Sequence, residues 1–272
     1  MDNWLLILVA VIFFLCIVIG GIKGFFKIAI SVLSVVLTLV IVVFASPYVE
    51  DAIVKYTVLD EIVEEKCLEI FMPDLTAAML EGKNLTGTPL EGLTASEIEE
   101  MSTINWDAMG MAVDDVLELV GEFTQTQQTE LIDNSILPQF MKDLLVENNN
   151  TAIYEELGVT YFAEYVAEYM SNMVVRIVSF LLTFVFAFVI VKALSAAVDI
   201  IGELPVLGTL NHVTGAAVGV VQAVLIVWIL FLIITLMYTS QLGRDCFVMI
   251  EESKFLSVLY DSNIILHKIL KF

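Results

Sequence analysis

The sequence predicts an all-α membrane protein with four transmembrane helices, arranged as two antiparallel hairpins with a helical acidic extramembrane domain inserted between them. Of its 272 residues, 59% are hydrophobic and 17% are charged. Soluble domains have about 45–50% apolar and about 25% charged residues, so lipid is the expected solvent for much of this chain. The acids are concentrated in one place, since residues 46–172 contain 26 Asp and Glu but only 4 Lys.

The flanks of the acidic segment contain four stretches that are long enough to cross a bilayer. A helix rises ~1.5 Å per residue, so about 20 apolar residues span the ~30 Å of hydrocarbon. Buried helices of a soluble protein are the disfavoured alternative. The first stretch has no basic n-region, which argues against a cleaved signal peptide. The four predicted spans are Trp4 to Ile19, Phe25 to Ala45, about Val174 to Val191, and Val213 to Met237.

The connections between the spans predict the topology and the domains. The residues from Gly20 to Gly24 leave room only for a tight turn, and residues 193–212 join the third and fourth spans. The predicted domains are a first hairpin (1–45), an acidic helical insertion (46–172), a second hairpin (173–237) and an amphipathic tail (238–272). Lysine and arginine near the span ends leave the orientation open: Lys23, Lys27 and Lys192 on one side, and Lys55, Arg176, Arg244 and Lys254 on the other.

The acidic insertion is expected to be helical. Apolar residues recur at helical spacing over 52–71, 106–123, 136–146 and 159–170, with carboxylates on the opposite faces. Residues 82–89 and 125–129 are predicted loops. Tyr161, Tyr165 and Tyr169 suit a lipid interface. The acidic stripes are interpreted as solvated helix faces rather than a cation site. The tail is either an interfacial helix or two short helices, broken at 261–263, that dock on the acidic insertion.

Small residues predict close helix packing. Gly20 and Gly24 lie four residues apart at the first turn, and the fourth span carries Asn211, Gly215, Gly219 and Ala223 at four-residue steps. Such stripes let helix backbones approach closely in lipid. Packing within one chain is the favoured interpretation, and an oligomer interface is the alternative. His212 is expected to be a headgroup or packing residue, and a disulfide between Cys67 and Cys246 is an open, disfavoured possibility.

No pattern of catalytic residues, cofactor-binding residues or metal ligands is found in the sequence, so no cofactor and no enzymatic activity are predicted. The spans lack ionisable residues away from their ends, which disfavours an ion path. A net charge of −21 excludes nucleic-acid binding through the whole surface. The expected partners are the lipid bilayer and a membrane protein, or a second copy of the chain bound through the glycine faces.

Two segments resemble signatures of the colicin V production protein (CvpA) family. The segment Gly21-Ile22-Lys23-Gly24-Phe25-Phe26-Lys27 is similar to its glycine-rich basic turn, and residues 204–219 are similar to a second signature ending in Gly-x-x-x-Gly. The motif residues are Gly20, Gly21, Lys23, Gly24, Phe25, Lys27, Pro205, Gly208, Asn211, Gly215 and Gly219. His212, Gln222 and Ala223 depart from the family pattern. The acidic insertion is longer than the connection in compact members.

The resemblance implies a multi-pass protein of the bacterial inner membrane, with its basic turns in the cytoplasm and its acidic domain outside. It also implies a non-enzymatic role in bacteriocin or toxin production or export and in envelope maintenance. Two alternatives stay open at this point. One is a small oligomeric channel or transporter subunit, and the other is a membrane-anchored sensor whose acidic domain binds cations or cationic peptides.

Overall fold

The computed structural model describes residues 3–71, 84–94, 97, 110–111, 113–121, 123–135, 137–199 and 208–270. All regular secondary structure within these residues is helical. The chain forms two compact units, one made of Met1–Glu61 with Asn172–Phe272 and the other of Ile62–Ser171. Residues 200–207, which include Pro205, lie outside the described residues, and the remainder of the predicted connection, 193–199 and 208–212, is helical.

The described helices are numbered here in chain order. They are α1 (Trp4–Lys23), α2 (Phe25–Tyr56), α3 (Leu59–Phe71), α4 (Val113–Val120), α5 (Gln125–Asn134), α6 (Gln139–Asn148), α7 (Thr151–Leu157), α8 (Phe162–Asp199), α9 (Gly208–Leu236), α10 (Gln241–Glu252), α11 (Lys254–Asp261) and α12 (Ile264–Leu270).

Four of these helices, α1, α2, α8 and α9, are long and apolar enough to cross a membrane. They expose large side chains that water would disfavour, such as Phe14, Phe44 and Phe186, each more than 60% exposed. An exposed apolar surface of this extent requires lipid around it. The prediction of four helices with the length and composition of membrane spans is confirmed. The second helix, however, continues through Pro47 to Tyr56, beyond the expected end of the span at Ala45.

Buried hydroxyls in the spans are satisfied within their own helices. Thr38 donates to the carbonyl of Ser34 at 2.8 Å, and Thr183 donates to the carbonyl of Ser179 at 2.6 Å. A hydroxyl that bonds one turn back needs no partner from another helix or from water. These residues therefore add polarity to the spans without creating an unpaired polar group.

The contacts among the spans differ from simple hairpin pairing. The most extensive helix contact in this unit joins α1 to α9, followed by α2 with α9, whereas α1 and α2 touch over a smaller region. The Nε of Arg176 on α8 lies 3.4 Å from an Oε1 of Glu50 on α2. The first and fourth spans, which are the most distant in sequence, are thus the most closely packed.

The second unit has its own apolar core. Its members are Leu90, Met111, Val116, Leu117 and Ala163, with Leu68 packed against them. These side chains are buried against one another and form a core within this unit. It shows that the acidic segment folds around buried side chains rather than remaining a polar linker.

Two sequence-based interpretations of this segment are wrong. Tyr165 and Tyr169 are fully buried, not interfacial, since their hydroxyls bond the carbonyl of Leu145 (2.8 Å) and the amide of Asn148 (3.0 Å). Residues 125–129 begin helix α5 instead of forming a loop. The reason is a capping box, in which the side chains of Thr124 and Gln127 each bond the other residue's backbone N–H.

The C-terminal tail forms three short helices, and the break at 261–263 is present. Asn263 is fully buried there. Its Oδ1 accepts from the N–H of Leu266 at 3.1 Å, and its Nδ2 donates to the carbonyl of Trp228 on α9 at 3.0 Å. Trp228 in turn donates its indole N–H to the carbonyl of Leu259 at 3.0 Å. The short helices of the tail therefore dock on the fourth span, whereas one sequence-based expectation was docking on the acidic insertion.

We expect Asn263→Ala to destabilise the protein more than Ser253→Ala. Each change removes the side-chain cap of a short helix, α12 and α11 respectively. A lost cap costs about 1 kcal/mol, and a buried group left unpaired costs about 1–3 kcal/mol more. Thermal unfolding of the purified protein in detergent measures the difference. Equal losses for the two variants would show that the bond to Trp228 is not a significant restraint.

Candidate functional site: the glycine crossing of the first and fourth spans

The turn between α1 and α2 is a single residue. Gly24 has φ 78° and ψ 166°, a conformation open essentially to glycine alone. Its N–H donates to the carbonyl of Gly20 at 2.9 Å and its carbonyl accepts from the N–H of Ile28 at 3.2 Å. One residue thus ends the first helix and begins the second.

The glycines of α1 and α9 bring the two backbones into direct contact. A Cβ on Gly20 would overlap the carbonyl of Gly215, and a Cβ on Gly215 would lie 2.7 Å from the carbonyl carbon of Gly24. One turn along, a Cβ on Gly219 would lie 2.9 Å from the carbonyl carbon of Cys16. Real Cβ atoms do not approach backbone so closely, so each of these positions requires glycine.

Two polar side chains of α9 complete the crossing. Asn211 packs against Gly24, where a Cβ would overlap its amide. His212 lies with Nδ1 2.7 Å from the carbonyl of Gly21, to which the ring N–H donates. The last carbonyls of a helix have no partner within it, so His212 caps the end of α1.

The remaining motif residues have other surroundings. Lys23 and Lys27 are exposed, and Phe25 makes an edge-to-face ring contact with Phe26 at 5.4 Å. Gly208 begins α9, and Ala223 is fully buried on the same helix. The structure therefore brings together Gly20, Gly24, Asn211, Gly215 and Gly219, while the two lysines stay at the surface beside them.

Glycines form most of the crossing, and its polar side chains among the described residues are those of Asn211 and His212. Among the residues that the structure describes, no group of three or more His, Cys, Asp or Glu side chains could hold a metal ion. Cys16, Cys67 and Cys246 are buried, and none of the three forms a disulfide. What the arrangement provides is a fixed, close approach of two helices that are separated by most of the chain.

Two features of this region could not be predicted from the sequence. The bond from His212 to Gly21 depends on a neighbour nearly the whole chain away, so no local pattern could indicate it. Gly243 at the start of α10 packs so closely on the backbone of Met237 that a Cβ would overlap it. A lone glycine after a span gave no signal of this contact.

The fold and this crossing define a class, a multi-pass α-helical membrane protein. Residues 157–263 match the model of the family described as Colicin V production protein. The resemblance predicted from the sequence is confirmed over these residues, which include all of α8, all of α9 and the first two helices of the tail. No curated protein and no solved structure gives a match.

We expect Gly20→Ala to weaken the fold and Gly21→Ala to leave it almost unchanged. A Cβ at Gly20 meets the backbone of Gly215, whereas at Gly21 its nearest neighbour is the Cβ of Ala216 at 3.9 Å, an ordinary contact. Overpacking of this kind costs about 1–3 kcal/mol. The two variants have the same composition and lie side by side in one helix. Thermal unfolding in detergent compares them, and equal midpoints would contradict the close approach.

Proposed function

We propose that this protein is a non-enzymatic accessory protein of the bacterial inner membrane that supports the production or export of a peptide bacteriocin or toxin and the maintenance of the envelope. The observation that carries the proposal is the match of residues 157–263 to the Colicin V production family. The four apolar helices support a membrane location.

The glycine crossing supports a scaffolding role. It joins the segment with the first signature, around Gly20 and Gly24, to the second signature at Gly215 and Gly219. The first segment lies outside the range matched by the family model, yet it packs on the second. We propose that both signatures serve one purpose, which is to hold the first and fourth spans in contact.

We further propose that the spans form two hairpins and that the acidic unit lies outside the cytoplasm. The exposed Lys23 and Lys27 support this arrangement, because basic residues next to a span favour the cytoplasmic side. The acidic insertion would then be displayed on the opposite side, together with both ends of the described chain.

The contacts of Gly215 and Gly219 also help to choose among the alternative functions, an oligomeric channel or a sensor. In this structure Gly215 and Gly219 contact α1 of the same chain, so self-association through this face would require the crossing to open. We therefore favour packing within the chain over an oligomeric channel built on these residues. For the sensor alternative, Glu61 and Glu65 of α3 are exposed, as expected for a solvated helix face.

The proposed role predicts a secretion defect. In host cells that express a peptide bacteriocin and its exporter, we expect deletion of this protein to reduce the toxin released, measured as the growth-inhibition zone on a sensitive strain. Gly215→Leu should fail to restore release, because its side chain would separate α1 from α9. The Gly21→Ala variant should restore it. Unchanged release after deletion would contradict the role.

The proposed topology predicts opposite labelling of two introduced cysteines. Cys67 and Cys246 are buried. Burial, and to a smaller extent the nearby carboxylate of Asp245, raises the pKa of the Cys246 thiol. Native cysteines are therefore poor probes. In a cysteine-free background, we expect Thr129→Cys to react with a membrane-impermeant maleimide in intact cells.

Its matched control is Lys23→Cys, which should react only after the membrane is permeabilised. Both positions are exposed, so access to the reagent depends on the side of the membrane. Labelling of Lys23→Cys in intact cells, with protection of Thr129→Cys, would reverse the proposed topology.

A further inference from the structure

A cavity of about 290 Å³ lies between α2, α8 and α9, within the unit that contains the spans. Its residues differ in character along its length. Ser31, Gln222 and Lys192 provide the polar groups, and Phe184, Phe188 and Ile226 are among the apolar ones. Ile226 is 40% exposed, so the cavity is reached from the side of the helix bundle that faces lipid.

The polar groups lie at one depth. Phe25 contacts Gly215 at the glycine crossing, which brings α2 and α9 to a common level. Ser31 follows Phe25 by six residues and Gln222 follows Gly215 by seven, so they lie about 9–11 Å along their helices from that level. This depth is below the turn, inside the apolar part of the spans.

Lys192 points into the cavity. Its Nζ lies 5.6 Å from the centre of the Phe188 ring, one turn back along α8, and 3.5 Å from the Oγ of Ser31. A lysine near a helix end normally extends outward to the headgroups. Among the described residues, no carboxylate forms an ion pair with it.

The side of the cavity that α8 forms carries bulky rings, those of Phe184 and Phe188. Phe180, Phe184 and Phe188 recur every four residues and stack with centroids 6.4 and 5.8 Å apart. Rings of this size keep the α8 backbone away from α2 and α9, unlike the glycines between α1 and α9. The cavity is therefore mainly apolar, and the Lys192 ammonium group is the cation in its lining.

From this geometry we propose that the cavity binds one anionic phospholipid of the surrounding bilayer. Its phosphate accepts hydrogen bonds from Lys192, Ser31 and the Gln222 amide, and the first part of an acyl chain lies against Phe184, Phe188 and Ile226. An ammonium group held in apolar surroundings is costly unless an anion pairs with it. A free anion would satisfy the lysine but leave the apolar end uncovered.

Native mass spectrometry tests the proposal on the full chain, released from nanodiscs of phosphatidylcholine that contain a minor amount of phosphatidylglycerol. We expect the protein to retain one phosphatidylglycerol. Lys192→Gln should reduce retention about fivefold, the usual effect of one basic residue on an anionic headgroup. Lys192→Arg should keep it, and Ile229→Trp, which fills the apolar end of the cavity, should abolish it.

Lys23→Gln is the matched control, because it removes an exposed cation that does not line the cavity. It should retain lipid as the unchanged protein does. Thermal unfolding provides a second measurement: added phosphatidylglycerol should raise the midpoint of the unchanged protein and of Lys192→Arg, but not that of Lys192→Gln.

Three results would overturn the proposal. The first is equal retention of phosphatidylcholine and phosphatidylglycerol. The second is equal loss in Lys23→Gln and Lys192→Gln, which would indicate a general charge effect. The third is displacement of the lipid by glycerol phosphate alone, which would show that the site binds a headgroup without its chain. None of these results depends on bacteriocin release, so the site and the proposed function can fail separately.

Discussion

The contact between the backbones of α1 and α9 is the constraint on which the membrane-embedded part of the structure depends. In lipid there is no hydrophobic force to bring two apolar helices together, so dispersion at close range must do so. Glycine at positions 20, 215 and 219 makes that range accessible. Once the crossing is formed, it fixes the single-residue turn at Gly24 and the seating of Asn211 and His212 on the end of the first helix.

Much of this crossing could be predicted from the sequence, but not its pairing. The four-residue spacing of Gly215 and Gly219 indicates one face of a helix, and Cys16, Gly20 and Gly24 form a second small-residue series with the same period. Periodicity along one segment does not say which other helix will cover its face. Here the covering helix is almost two hundred residues away, so its choice depends on tertiary packing that local patterns do not encode.

The errors in the acidic segment have a related cause. The tyrosines of α8 were assigned to a lipid interface because of their chemical type, yet Tyr165 and Tyr169 bury their rings and pair their hydroxyls within the second unit. Residue type indicates only where tyrosines are common, whereas these two hydroxyls bond residues 20 and 21 positions earlier in the chain, which no local pattern indicates. The capping box of Thr124 and Gln127 has a recognisable sequence pattern, a threonine followed three residues later by glutamine. The polar composition of residues 125–129 nevertheless favoured a loop.

The two kinds of helix contact in the membrane unit explain how one bundle can be both rigid and able to hold a ligand. Between α1 and α9 small residues allow the two backbones to touch. Along α8, by contrast, stacked phenylalanines line the cavity. A cavity placed at the rigid crossing would destroy the contact that positions the helices. A cavity beside the crossing lies at a fixed depth below the turn at Gly24, because α2 and α9 are held at a common level by the contact of Phe25 with Gly215. Lys192 can therefore be held inside the apolar region at a defined level, where only an amphiphile with an anionic end matches both its charge and its surroundings.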